Sequence, residues 1–199
     1  MKIKLFEKLS AQAKILIIAD NLWLFGEGMF GPLFAVFAER VGGDLLEISW
    51  AWATYLIING IFIVIFGKIS DKLGVRRLLV TGYYLNVIFT FGYLFVHSAL
   101  ALLIVQAGLG IAAAMATPTW DALYTEGSEK EEDRSFMWGL ADGQASIFTG
   151  LAVIVGGLIV SRFSFSVLFL IMGIVQVAAA TYQTKILFNK GPRGETSRY

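Results

Sequence analysis

The chain has 199 residues, 57% of them hydrophobic and only 16% charged, and its mean hydropathy is +0.70. A domain bathed in water averages about 25% charged residues, so too little charge is available here to coat such a surface. The net charge of +1 provides no basic patch for nucleic acid, and the lack of cysteine excludes disulfides and thiolate metal sites.

From the N-terminus, Lys2, Lys4, Lys8 and Lys14 precede an apolar run that continues to about Val41. That run is too long for a signal-peptide core, and no small-residue cleavage site follows it. A bilayer core of ~30 Å is crossed by ~20 apolar residues in a helix. Segments of this kind are predicted at 15–39, 48–67, 78–96, 100–124, 136–160 and 164–188. They are helices because backbone groups in lipid must be paired within the segment, and the ~10-residue alternating segments of a barrel are absent. The fold class is therefore an all-α membrane protein with six transmembrane helices.

The punctuation agrees. Gly42-Gly43 ends the first helix, and a polar loop from Gly67 to Arg77 follows the second. His97-Ser98 is so short a turn that the third and fourth helices must be antiparallel neighbours. His97 reads as an interfacial loop residue, with no partner at metal-ligand spacing. Gly127 follows the fourth helix, and Ser128-x-x-Glu131 has the capping-box pattern that opens the fifth. One bundle thus occupies 1–188, and the polar tail 189–199 is expected to be disordered.

Orientation follows from lysine and arginine. With the N-terminus inside, the inner segments hold fourteen of them and the outer segments only Arg40 and Arg162. That asymmetry obeys the positive-inside rule. It predicts a multi-pass protein of the plasma (inner) membrane with both termini cytoplasmic.

Ionisable groups at membrane depth cost ~2.5–3.5 kcal/mol each on insertion scales, so they point to function. Four occur: Asp20 and Glu27 in the first helix, Asp121 in the fourth and Asp142 in the fifth. Glu27 lies ~18 Å along its helix from Ile15, near mid-bilayer, with Asp20 two turns earlier on the same face. Trp23, Phe30 and Phe34 surround it with aromatics, and Asn21 and Gly28 border that face. A carboxyl in this setting could exchange protons or attract a cation. Asp20, Asp121 and Asp142 fall near the cytoplasmic ends, where they are expected either to meet water or to form a charge network with Arg76, Arg77 or Arg134.

The segment Gly67-Lys68-Ile69-Ser70-Asp71-Lys72-Leu73-Gly74-Val75-Arg76-Arg77 reads G-x-x-x-D-K-x-G-x-R-R. It resembles the signature loop between the second and third transmembrane helices of the major facilitator superfamily of secondary transporters. Gly31-Pro32 is similar to the family's bend in the first helix. Gln106-Ala107-Gly108-Leu109-Gly110 with Pro118 is similar to its Gly-rich fourth helix, though Leu103, Ile104 and Val105 stand where an arginine often precedes the glycines. Gly156-Gly157 resembles the end of the antiporter glycine motif, without the expected proline. A whole family member has twelve helices in two halves, related by an axis along the membrane normal. This chain resembles the amino-terminal half.

The resemblance implies secondary transport by alternating access, not enzymatic catalysis, and no cofactor. The first and fourth helices line the family's central cavity. On this chain that places Asn21, Trp23, Glu27, Gln106, Met115, Thr117 and Trp120 by the solute and proton pathway, flanked by Tyr55, Asn59 and Gln144. It makes Gly67, Asp71, Lys72, Gly74, Arg76 and Arg77 a gate rather than a binding site, with Asp142 nearby. In the family the loop's aspartate meets the start of the eleventh helix. By repetition, Asp71 would cap the fifth helix of a second copy, near Ser135-Phe136. The basic residues of the loop would also grip anionic lipid headgroups.

The expected partners are a small organic, cationic or amphipathic solute, protons, lipid, and either a second copy or a missing second half. Closed twofold pairs are the commonest oligomers, and an even helix count lets two copies lie parallel. Rival readings are a non-transporting scaffold or receptor, a piece of a twelve-helix carrier, and, more weakly, a channel.

Overall fold

The computed structural model describes residues 9–126 and 131–189, the stretch 131–134 by backbone alone. The expected Ser128–Glu131 capping box, the polar tail beyond 189, and the side chain of Arg134 lie outside the described residues.

Among the described residues seven α-helices follow in chain order: α1 (Ala11–Gly28), α2 (Phe34–Arg40), α3 (Leu45–Leu73), α4 (Val75–Gly92), α5 (Ala99–Glu126), α6 (Glu131–Arg162) and α7 (Phe165–Gln183). A 3-10 turn, Gly31–Leu33, joins α1 to α2 into one span. Six helical segments are therefore long and apolar enough to cross a membrane. Polar side chains close the helix starts where backbone N–H groups have no partner. Ser10 accepts from the Ala13 amide at 3.1 Å, and Ser164 from Val167 at 3.3 Å. At α3 a full capping box forms, Asp44 accepting from the Glu47 amide at 2.8 Å while Glu47 accepts from that of Asp44 at 3.1 Å.

Two helices run beyond the spans expected for them. The second span does not end at Gly67; α3 runs on to Leu73, and the connection to α4 is Gly74 alone, at φ 84°. The supposed loop is two further helical turns. Its polarity marks the exit from the apolar layer, not the end of the hydrogen-bond ladder. The stop is set by Gly74, whose left-handed φ a side chain would resist. Helix α6 likewise extends past its apolar layer: it starts at Glu131, while the span long and apolar enough to cross a membrane starts at Ser135.

The first span breaks where Gly31-Pro32 predicted a bend. Pro32 has no N–H, so the carbonyl of Gly28 loses its i+4 donor. The Leu33 amide turns instead to Phe30 at 2.8 Å, tightening the turn. Pro118 leaves α5 unbroken. Next to it the Thr119 hydroxyl shares its proton between the carbonyls of Met115 and Ala116, at 2.7 and 2.9 Å.

The helices alternate in direction. At the near end, where α1 starts, Leu9, Leu16, Leu79, Trp120, Tyr124, Met137 and Ile186 pack together. At the far end the core is aromatic: Phe30, Phe37, Tyr93, Phe165 and Phe169, with ring centroids 4.8–6.4 Å apart where they meet. Such edge and stacked pairs add to simple burial. Glycines let backbones approach where lipid supplies no hydrophobic drive. A Cβ on Gly82 would lie 2.9 Å from the Ala112 carbonyl oxygen, and one on Gly110 would lie 2.7 Å from that of Tyr55.

Two helices stay largely uncovered. On α3 only Ala51 is buried, while Trp50, Trp52, Ile57, Ile61 and Val64 are exposed. On α6, Ile147, Leu151, Ile154 and Leu158 are exposed. Gly60 and Gly67 on α3, and Gly139, Gly143, Gly150 and Gly157 on α6, face open space.

Candidate functional site

The ionisable groups of the interior converge on α1. Asn21 and Trp23 are buried, and Glu27 is half-buried one turn beyond Trp23. The Glu27 carboxyl is turned toward the Trp23 indole and the Asn86 side chain of α4. The phenols of Tyr55 (α3), Tyr83 (α4) and Tyr93 are its electrostatic neighbours. Trp23 and Tyr83 pack edge to face, with centroids 4.4 Å apart. The carboxyl therefore sits among hydrogen-bonding groups within an apolar wall, a setting suited to holding or releasing a proton.

A ladder of carboxylates leads from it to the near end. Asp20 is an electrostatic neighbour of Glu27 and of Asp121 of α5, and Asp121 of Asp142 of α6, like charges with no hydrogen bond between them. The expected network of these acids with Arg76 is replaced by another arrangement. Arg76 turns into the bundle and donates to Gln12 Oε1 at 3.0 Å and to the Asn189 carbonyl. Gln12 in turn donates to the Leu123 carbonyl at 2.7 Å. Four elements are thus tied at one point: the starts of α1 and α4, the end of α5, and the chain after α7. An arginine is suited to this because its planar fork reaches two acceptors at once.

The other expected positions divide. Asn21 meets Gln144 of α6, Nδ2 donating to Oε1 at 2.8 Å. Asn59 of α3 donates to the Gly110 carbonyl at 3.3 Å. Gln106 and Met115 are buried, whereas Thr117 is exposed. Trp120 reaches α1 at the near end, where its indole N–H donates to Leu16 at 3.4 Å and its ring stacks on Tyr124. Tyr124 donates to the Met137 carbonyl at 2.7 Å, joining α5 to α6. Trp120 is thereby part of the near-end seam, away from Glu27. In the G-x-x-x-D-K-x-G-x-R-R segment, Gly67, Asp71, Lys72 and Arg77 are exposed and only Arg76 faces inward among the charged residues that define it.

Asn86 and Gln176 were not anticipated. Asn86 is fully buried, and neither amide atom has a protein partner at hydrogen-bond distance. Gln176 of α7 donates to the Trp23 carbonyl at 3.1 Å, while its Oε1 is buried without a donor. It lies against Gly26, where a Cβ would come within 2.7 Å of its amide nitrogen. A lone amide in an apolar helix is the only signal the sequence carries for either.

The Major Facilitator Superfamily model matches residues 17–198. An uncharacterised MFS-type transporter of Methanocaldococcus jannaschii is 24% identical over 187 residues, covering 92% of this chain and 48% of its own length. The chain thus spans about half the length of that relative.

Proposed function

The chain belongs to the Major Facilitator Superfamily, and from that premise we propose that it is one bundle of an alternating-access secondary transporter, with Glu27 as its proton-coupling group. The observation that carries this reading is the half-buried Glu27 carboxyl at the head of the Asp20–Asp121–Asp142 ladder. The further carboxylates lie toward the near end, which the positive-inside rule makes cytoplasmic. The aromatic surroundings suit a cationic or amphipathic solute, with Asn21, Trp23 and Gln106 as candidate contacts.

The open faces of α3 and α6 support pairing with a second six-helix bundle, and a second copy in a twofold pair supplies one. The gate would lie where Asp71, Lys72 and Arg77 of one bundle meet the start of α6 of the other. In a pair of identical chains that start carries Glu131, Glu132 and Asp133 in sequence, so Lys72 and Arg77 are its ionic complements. A second half within one longer polypeptide is the other reading, favoured by the 48% coverage of the relative.

The test is flux in proteoliposomes holding pyranine, with ethidium as the lipophilic cation. The reading expects ethidium movement to be coupled to proton movement and to lose its dependence on the proton gradient in Glu27→Gln. Gradient-independent flux in the unmodified protein would remove the coupling. Mass photometry in nanodiscs distinguishes a pair from a single bundle.

A further inference from the structure

Among the described residues two wholly buried amides, Asn86 and Gln183, have no partner at hydrogen-bond distance, and of these Asn86 is the one beside Glu27. Asn86 is wholly buried, and both its Nδ2 and its Oδ1 lack partners. A buried amide left in this state costs about 1–3 kcal/mol per unpaired group, so it calls for an occupant or a role.

Its position supplies the role. Helices α1 and α4 both run from the near end to the far end. They touch at Trp23 with Tyr83 below, and beyond the break at Phe30 with Tyr93, centroids 4.9 Å apart. Glu27 and Asn86 fall between these two aromatic contacts, Glu27 one turn past Trp23 and Asn86 one turn past Tyr83. The two aromatic contacts thus bracket this pair along the helices, and Thr90, one turn further along α4, is also buried.

We infer that Asn86 is a positioning residue that reads the protonation state of Glu27 by reversing its amide. With Glu27 ionised, Asn86 Nδ2 donates to the carboxylate. With Glu27 protonated, the acid O–H donates to Asn86 Oδ1. An amide is one of the few side chains able to take both parts, and an apolar or purely accepting residue here would serve one state at most. The inference rests on the proposed role of Glu27. The other groups facing that carboxyl are Asp20 on α1, Tyr55 on α3, Tyr83 on α4 and Tyr93 beyond it, while Asp121 of α5 and Asp142 of α6 act through Asp20.

The sign follows from bond strength. A hydrogen bond to an ionised carboxylate is roughly twice as strong as one to the neutral acid, so Asn86 favours the charged form. Removing it should move the protonation midpoint to higher pH by about one unit, a tenfold change in proton affinity.

The experiment is infrared difference titration of the full chain in lipid bilayers from about pH 5 to 9, following the carboxylic-acid carbonyl band. Glu27→Gln identifies the band that belongs to Glu27. Asn86→Leu, close in volume, is expected to raise its midpoint, and Asn86→Ser, which again donates and accepts, to return it part of the way. Asn86→Ser also gives a reading should the leucine variant fail to fold: its midpoint must lie on the alkaline side of the unmodified protein. A midpoint unmoved by both Asn86 variants overturns the assignment and leaves Glu27 as the coupling group. A titration in which Glu27→Gln removes no band overturns both.

Discussion

Gly156 and Gly157 are adjacent, yet the structure gives them opposite consequences. Gly156 is pressed on the backbone of Met29, where the first span breaks. A Cβ there would lie 2.6 Å from the Met29 carbonyl carbon and 2.8 Å from its Cα, and nearer still to the oxygen. Carbon atoms rest comfortably at about 3.5–4.0 Å, so α6 would have to withdraw from α1 by about 1 Å. The obstacle is backbone, which cannot swing aside as a side chain does. Gly156→Ala should therefore cost about 3 kcal/mol, the upper end of overpacking penalties. Gly157 faces open space, and Gly157→Ala should be neutral or should stabilise by up to ~1 kcal/mol through helix propensity. The assay is equilibrium unfolding of both variants in the same detergent, with helix content as the probe. Equal stability of the two variants would refute the argument that this α1–α6 contact is held at backbone distance.

Three further outcomes follow from the geometry. Gln12→Leu removes the acceptor for Arg76 and the donor to Leu123, and should lower stability by about 2 kcal/mol or more; unchanged unfolding would mean that the near-end tie holds nothing. Asp71→Asn, at an exposed position, should leave membrane insertion and melting intact while slowing ethidium flux, and flux at the unmodified rate would remove the gate. At Gly143 an added Cβ meets nothing within 4 Å, which favours room for Gly143→Leu. It should fold normally and lose crosslinking between copies; undiminished crosslinking would place the pairing surface elsewhere.

The spans were legible because lipid imposes a length and a hydropathy that few other structures share. The kink was legible too, since proline at residue 32 withdraws a donor wherever it stands in a helix. The segment 67–77 was readable as a motif and misread as a loop. Polarity reports depth in the membrane, whereas the helix end depends on one glycine dihedral. The start of α3 also carries a sequence signal: Asp44-x-x-Glu47 is a capping box whose first residue lies four positions before the expected span at 48. Direction around a helix was the harder matter. Apolar residues cover every face of these helices, so periodicity could not tell that Thr117 faces outward, that Trp120 belongs to the near-end seam, or that Arg76 turns inward to Gln12. Asn86 and Gln176 were invisible for the same reason, because their meaning lies in what is absent around them.

Gly74 alone separates α3 from α4, so the second and third spans share a joint with no slack. A swivel imposed on the outer turns of α3, at Asp71 or Lys72, cannot be absorbed by an intervening stretch of chain. It is delivered as torque to the first turn of α4, and by that stiff rod to Asn86, about three turns along. A push at the bundle's rim is thereby geared to the amide beside Glu27.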